Sequence, residues 1–119
     1  MTKDEKTLIQ TIVEGMQEKK AKRIVTVDMS ELQAPCCYFV ICEGDSSTHV
    51  DAIADSVRQY VHTHAKQKPF AIDGYENSVW IALDYGVAIV HIFRRETREF
   101  YDIEHLWNDA HITQIQDIN

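Results

Sequence analysis

The chain has 119 residues and a formal charge of −7, from 12 Lys and Arg against 19 Asp and Glu. One domain with a single core fits that length, and the acidic balance argues against a surface built mainly to grip phosphates. No apolar run approaches the roughly 20 residues a membrane span requires, and no apolar signal core follows Met1-Thr2-Lys3, so no secretion signal is read.

The first predicted element is a helix from about Asp4 to Lys20. Leu8, Ile9, Ile12, Val13 and Met16 recur at helical spacing and make one apolar stripe. Thr2 and Glu5 have the spacing of a capping box. Arg23 to Met29, rich in Ile, Val and Thr, reads as a strand. After a connection over Ser30 to Pro35, Cys37 to Cys42 is apolar on both faces, which places it inside a covered sheet.

Gly44-Asp45-Ser46-Ser47 then turns into a helix running through Lys66, capped by Ser46 or Ser47. Its buried stripe is Val50, Ile53, Ala54, Val57, Val61 and Ala65. Lys68-Pro69 stops it, Phe70 to Ile72 suits a short strand, and Asp73-Gly74 a turn. Val79 to Asp84 and Val87 to Phe93 form a hairpin around Tyr85-Gly86. Short helices follow, and His111 to Asn119 lacks an amphipathic pattern and reads as a loose tail. The expectation is one α/β domain over residues 1–110 with a flexible tail over 111–119. Alternating elements followed by a hairpin imply a mixed sheet flanked by helices.

Chemistry-bearing residues are sparse. Cys36, Cys37 and Cys42 are an odd number crowded on one segment, so a disulfide framework is not expected and a reducing cytosol is. They form no C-x-x-C pair for zinc. His62 and His64 sit two apart on a helix and do not share a face. No metal or cofactor is expected. Lys19, Lys20, Lys22 and Arg23, and Arg94, Arg95 and Arg98, read as solvated groups rather than a nucleic-acid site.

On the first hairpin strand, Val79, Ile81 and Leu83 share an aliphatic face. Trp80 and Asp84 then lie on the other, beside whichever of His91 and its neighbours the register brings across. Asp84 and Tyr85 are read at an exposed turn. Phe100, Tyr101, Leu106 and Trp107 stand among Asp102, Glu104, His105 and Asp109. Rings supply buried area at a protein interface while carboxylates select a basic partner. The expected partner-binding patch is Trp80, Asp84, Tyr85, His91, Tyr101, Glu104 and Trp107.

Several motifs run in one order along the chain: Phe39-Val40-Ile41, Gly44-Asp45-Ser46, Ala52-Ile53-Ala54-Asp55 and Asp73-Gly74. Then come Trp80 to Gly86, Val90 to Phe93, and Arg98-x-Phe100-Tyr101-x-x-Glu104-x-Leu106-Trp107. In order and spacing they resemble the RsfS/Iojap family of ribosomal silencing factors. The family's pattern usually differs at three places, occupied here by Cys36-Cys37, Thr48 and Val87. The resemblance implies a reduced nucleotidyltransferase-like core. It also implies binding to the large ribosomal subunit, through a basic ribosomal protein at the subunit-joining face, and steric exclusion of the small subunit. The compartment implied is the cytoplasm.

Nucleotidyltransferases also place a glycine-serine turn at a helix start, where N–H groups hold phosphate. They need converging carboxylates for divalent metal as well. No Asp-x-Asp or Asp-x-Glu falls on a predicted sheet strand, so Gly44 and Ser46 read as turn and cap and the chain is read as no enzyme. A metal-dependent nucleotidyltransferase-like enzyme and a self-associating module, a homodimer, are the alternatives.

Overall fold

The computed structural model describes residues 2–32, 34, 36–106 and 110–118. Among these residues, three α-helices, α1 (Lys3–Glu18), α2 (Ser47–Tyr60) and α3 (Arg95–Tyr101), flank a six-stranded sheet. The strands are β1 (Lys22–Asp28), β2 (Tyr38–Gly44), β3 (Ala71–Asp73), β4 (Trp80–Asp84), β5 (Ala88–Arg94) and β6 (His111–Gln114). Their spatial order is β3-β4-β5-β2-β1-β6. Among the described residues, the central β2·β5 pair is parallel and the other four pairs are antiparallel. The expected mixed, helix-flanked sheet is therefore present.

The helix boundaries have local causes. Thr2 and Glu5 form the full capping box, each side chain accepting from the other's backbone N–H at 3.1 and 3.0 Å. Ser46 caps α2 by accepting from the His49 N–H at 3.1 Å. The stripe that predicts one helix through Lys66 gives α2 to Tyr60 and then a π-type turn over Val61–Ala65. Lys66 closes that turn with φ +56°, and Pro69 follows as a residue that cannot continue a helix.

Period-2 alternation divides the sheet's side chains between two cores. On one face, Leu8, Ile12 and Met16 of α1 and Val50, Ile53 and Val57 of α2 pack over Ile24, Val40, Cys42, Ile81, Leu83, Val90 and Ile92. This buries the aliphatic face read from β4. The opposite face gathers Val25, Val27, Ile41, Phe93 and Ile103, with Phe39, Trp80 and Ile89 packed against them. Among the described residues, the short α3 segment and the connections cover that second face.

The carboxy-terminal stretch differs from the expected loose tail. His111–Gln114 pairs antiparallel with β1, from Val25↔Gln114 to Asp28↔His111. Beyond it, the Ile115 N–H donates to the Ile24 carbonyl at 2.8 Å, and the Arg23 N–H donates to Asp117 at 2.9 Å. All four β6 residues are exposed, so no apolar alternation marks the strand in sequence. The open hydrogen-bonding edge of β1 specifies it instead.

Gly15 sets the approach of the two long helices. A Cβ there would stand 2.9 Å from the Val57 Cα, and the Gly15 carbonyl accepts the Ser56 hydroxyl at 2.7 Å. Gly15→Ala gains about 1 kcal/mol in helix propensity, but backbone cannot yield as a side-chain tip does. We expect a net loss of about 1 kcal/mol or more from forced separation of the helices, read as a lower urea midpoint with an unchanged m-value.

Candidate interaction face

The hairpin register builds the face. Trp80 lies opposite Phe93 and Ala82 opposite His91, and directly paired residues project to the same side of a sheet. The Trp80 and Phe93 rings stack with centroids 4.9 Å apart, and the Trp80 indole N–H donates to His91 Nδ1 at 3.0 Å. Phe39 of β2 meets His91 edge-on at 4.7 Å, while Tyr101 of α3 lies 4.9 Å from Trp80. A continuous aromatic row thus crosses β2, β5 and β4 and climbs onto α3, where Phe100 adds an edge-on contact to Tyr101 at 5.0 Å.

Helix α3 has the reverse of ordinary amphipathic packing. Its buried side chain is Arg98, 2% exposed, whereas Phe100 is 80% and Tyr101 51% exposed. The Arg98 guanidinium forks onto Glu104, with Nε–Oε1 at 2.9 Å and Nη2–Oε2 at 3.1 Å. Its Nη1 donates to buried Glu43 at 3.2 Å and to the Arg23 carbonyl at 2.7 Å. Arg23 and Arg95 also lie near Glu43, at 3.2 and 3.8 Å. The paired, bidentate arrangement is what makes a buried guanidinium tolerable. With Ile103 buried just beyond, this cluster docks α3 and leaves Phe100, Tyr101 and Leu106 outside.

The expected patch is thereby sorted. Trp80 and Asp84 do share a face, half-buried, and Tyr101 is exposed beside Trp80. His91, a member of that row, is only 7% exposed. Tyr85 corrects the reading of an exposed turn residue: it is 3% exposed and packs in the helix-side core. Burial pushes its hydroxyl up to about 12. Glu104 is likewise not a free surface carboxylate, because Arg98 holds both its oxygens. Arg98 in turn is not part of a solvated basic group. Trp107 lies outside the described residues.

Sequence reasoning missed Glu43 and the inward turn of Arg98. The spacing of Arg98 and Glu104 within one motif was the available signal. Of the three departures from the family pattern, Cys37 and Val87 pack against the helix-side core and Thr48 is exposed on the first turn of α2.

The glycine-serine turn is held by His49. His49 Nδ1 accepts the Asp45 N–H at 2.9 Å, and its Nε2 lies 2.6 Å from the Lys19 carbonyl. A Cβ on Gly44 would sit 3.2 Å from the same ring. The imidazole therefore fills the space at the start of α2 and ties it to the end of α1. Among the described residues, no three His, Cys, Asp or Glu side chains converge as a metal site. Nor is any described helix long and apolar enough to cross a membrane.

The model of the family described as "Ribosomal silencing factor during starvation" matches residues 2–119. A ribosomal silencing factor RsfS from Halalkalibacterium halodurans is 30% identical over 111 residues, covering 93% of this chain and 94% of the relative. A mouse protein named "Mitochondrial assembly of ribosomal large subunit protein 1" is 30% identical over 101 residues, covering 83% of this chain and 44% of its own length. A crystal structure of a Chromobacterium violaceum protein superposes with a TM-score of 0.81 at 29% identity, covering 87% of this chain and 85% of that one.

Two expectations follow from the geometry. Glu104→Lys sets a second cation against the buried guanidinium, and should cost about 3 kcal/mol or more, read by urea unfolding, with Glu104→Gln costing less. His91 carries its proton on Nε2, since Nδ1 accepts from Trp80, and burial lowers its pKa to about 4. In the unfolded chain the ring titrates near about 6.5. Between those values the unfolded state binds a proton that the folded state refuses. Stability is therefore complete above that window and falls as pH drops through it, by up to about 1.4 kcal/mol per pH unit. The stability difference between wild type and His91→Gln should shrink accordingly from pH 7 to pH 4.5.

Proposed function

Given that this chain belongs to the RsfS family of ribosomal silencing factors, we propose that it binds the large ribosomal subunit through the aromatic face and sterically keeps the small subunit away. The observation that carries this reading is α3. A helix that buries an arginine and exposes Phe100 and Tyr101 presents area that only another macromolecule would cover. Aromatic anchors over a firm platform are the usual centre of a binding site.

The partner is a basic protein of that subunit. Net charge of −7 disfavours bare RNA as the main contact, and Asp84 lies on the same face as Trp80. Asp84 has one oxygen committed, accepting the Gly86 N–H at 2.7 Å, which leaves the other for a partner cation. His91 supports the indole from below, and Leu106 widens the exposed ledge. The mechanism is occlusion and involves no bond making, and the compartment is the cytoplasm, where subunits join.

Purified protein should cosediment with free large subunits and lower subunit joining. Equal binding to both subunits, or normal joining at saturation, would refute the reading. Tyr101→Ala should weaken large-subunit affinity by roughly 30-fold, the consequence of losing about 2 kcal/mol at an anchor. Asp84→Asn keeps the acceptor for Gly86 and removes only the charge, so weaker binding with unchanged thermal unfolding would isolate the ionic contribution.

A further inference from the structure

The sheet register places a second carboxylate beside Asp84. Asp73 of β3 lies opposite Ala82, and Ala71 opposite Asp84, so Asp73, Ala82 and Asp84 project to the side that carries Trp80. Asp73 and Asp84 are diagonal neighbours, a relation that sets residues about 7–8 Å apart. Neither has a cationic partner within 4 Å among the described residues. Both carboxylates are therefore open to a cation supplied by a partner.

Ala82 is the smallest outward residue of β4, with Trp80 and Asp84 two positions away along the strand. Across the pairs stand His91 on one side and Asp73 on the other. His91 Nε2 is buried without a hydrogen-bond partner among the described residues. Ala82 thus stands between an indole two positions back and two carboxylates, Asp84 two positions on and Asp73 across the β3·β4 pair.

The geometry points to a seat for a single arginine of the protein partner, with Asp73 as a contact residue and Ala82 as the floor that admits it. The aliphatic stem lies over Ala82 and the guanidinium plane rests against Trp80. Its five N–H donors reach the two carboxylates, and a planar fork can span a pair that a point charge would meet singly. This inference rests on the reading that the aromatic face meets a ribosomal protein, and it names what that face selects.

Two measurements test it. Large-subunit affinity is compared for wild type, Asp73→Asn, Ala82→Leu and, as an acidic control on the helix side, Glu14→Gln. Both seat variants should bind about tenfold more weakly or worse, with unchanged thermal unfolding, and the control should bind like wild type. Wild-type affinity in both folded seat variants would overturn the proposal. Separately, a hexa-arginine peptide is titrated against labelled protein without ribosomes. The Trp80 indole and Ala82 methyl resonances should shift, and Asp73→Asn should suppress those shifts. Shifts centred on Glu14, Glu18 and Asp55 instead would overturn the seat whether or not subunits bind. Seat resonances that respond to peptide, in a protein that fails to cosediment, would defeat the functional reading and leave the seat standing. If Asp73→Asn alters the mass of the free protein and not its subunit affinity, the surface joins two copies and the arginine seat is wrong.

Discussion

The guanidinium of Arg98 has four oxygen partners inside the fold: both Glu104 carboxylate oxygens, one from Glu43 and the Arg23 carbonyl. These contacts reach β1, β2 and the turn after α3, so one side chain joins segments 55 and 75 positions away in sequence. An unpaired charge at that depth would be strongly destabilising, whereas a fully bonded one fixes geometry. The helix is too short for its own hydrogen bonds to hold it, and it buries no apolar residue. Its position depends on the ionic cluster, with Ile103 packing just beyond. That arrangement frees the rings of Phe100 and Tyr101 from core duty.

The parallel β2·β5 pair organises what those rings meet. It brings Phe39 and His91 into contact from strands that are remote in sequence, and the β4·β5 hairpin then adds Trp80. Trp80 is held by stacking on Phe93 and by its hydrogen bond to His91. Side chains with two partners have few rotamers to lose when a surface closes over them, which is the value of preorganisation in binding. The helix layer does the opposite work. It absorbs the aliphatic residues of the same strands and, through His49, ties the glycine-serine turn to the end of α1.

The aliphatic alternation of Val79, Ile81 and Leu83 was legible, and with it the side on which Trp80 and Asp84 stand. The capping box at Thr2 and the Ser46 cap were legible too, because each is a contact between residues three apart. Tyr85 was misread because a turn position in sequence does not say which way a ring folds back. Glu104 was misread because a carboxylate among aromatics looks the same whether it faces solvent or a buried arginine. The order of β6 was invisible for a different reason: its pairing energy comes from the edge of β1, not from its own side chains.

By itself, then, the chain determined what local periodicity and short-range bonding determine: the helices, most strands, the helix-side core and the family motifs. The tertiary structure decided the direction of Arg98, the burial of Tyr85, the docking of β6 and the meeting of Asp73 with Ala82 and Asp84. Each of these depends on a partner brought close by strand order or register. Pairwise contacts between distant segments leave no period in the sequence from which they could be read.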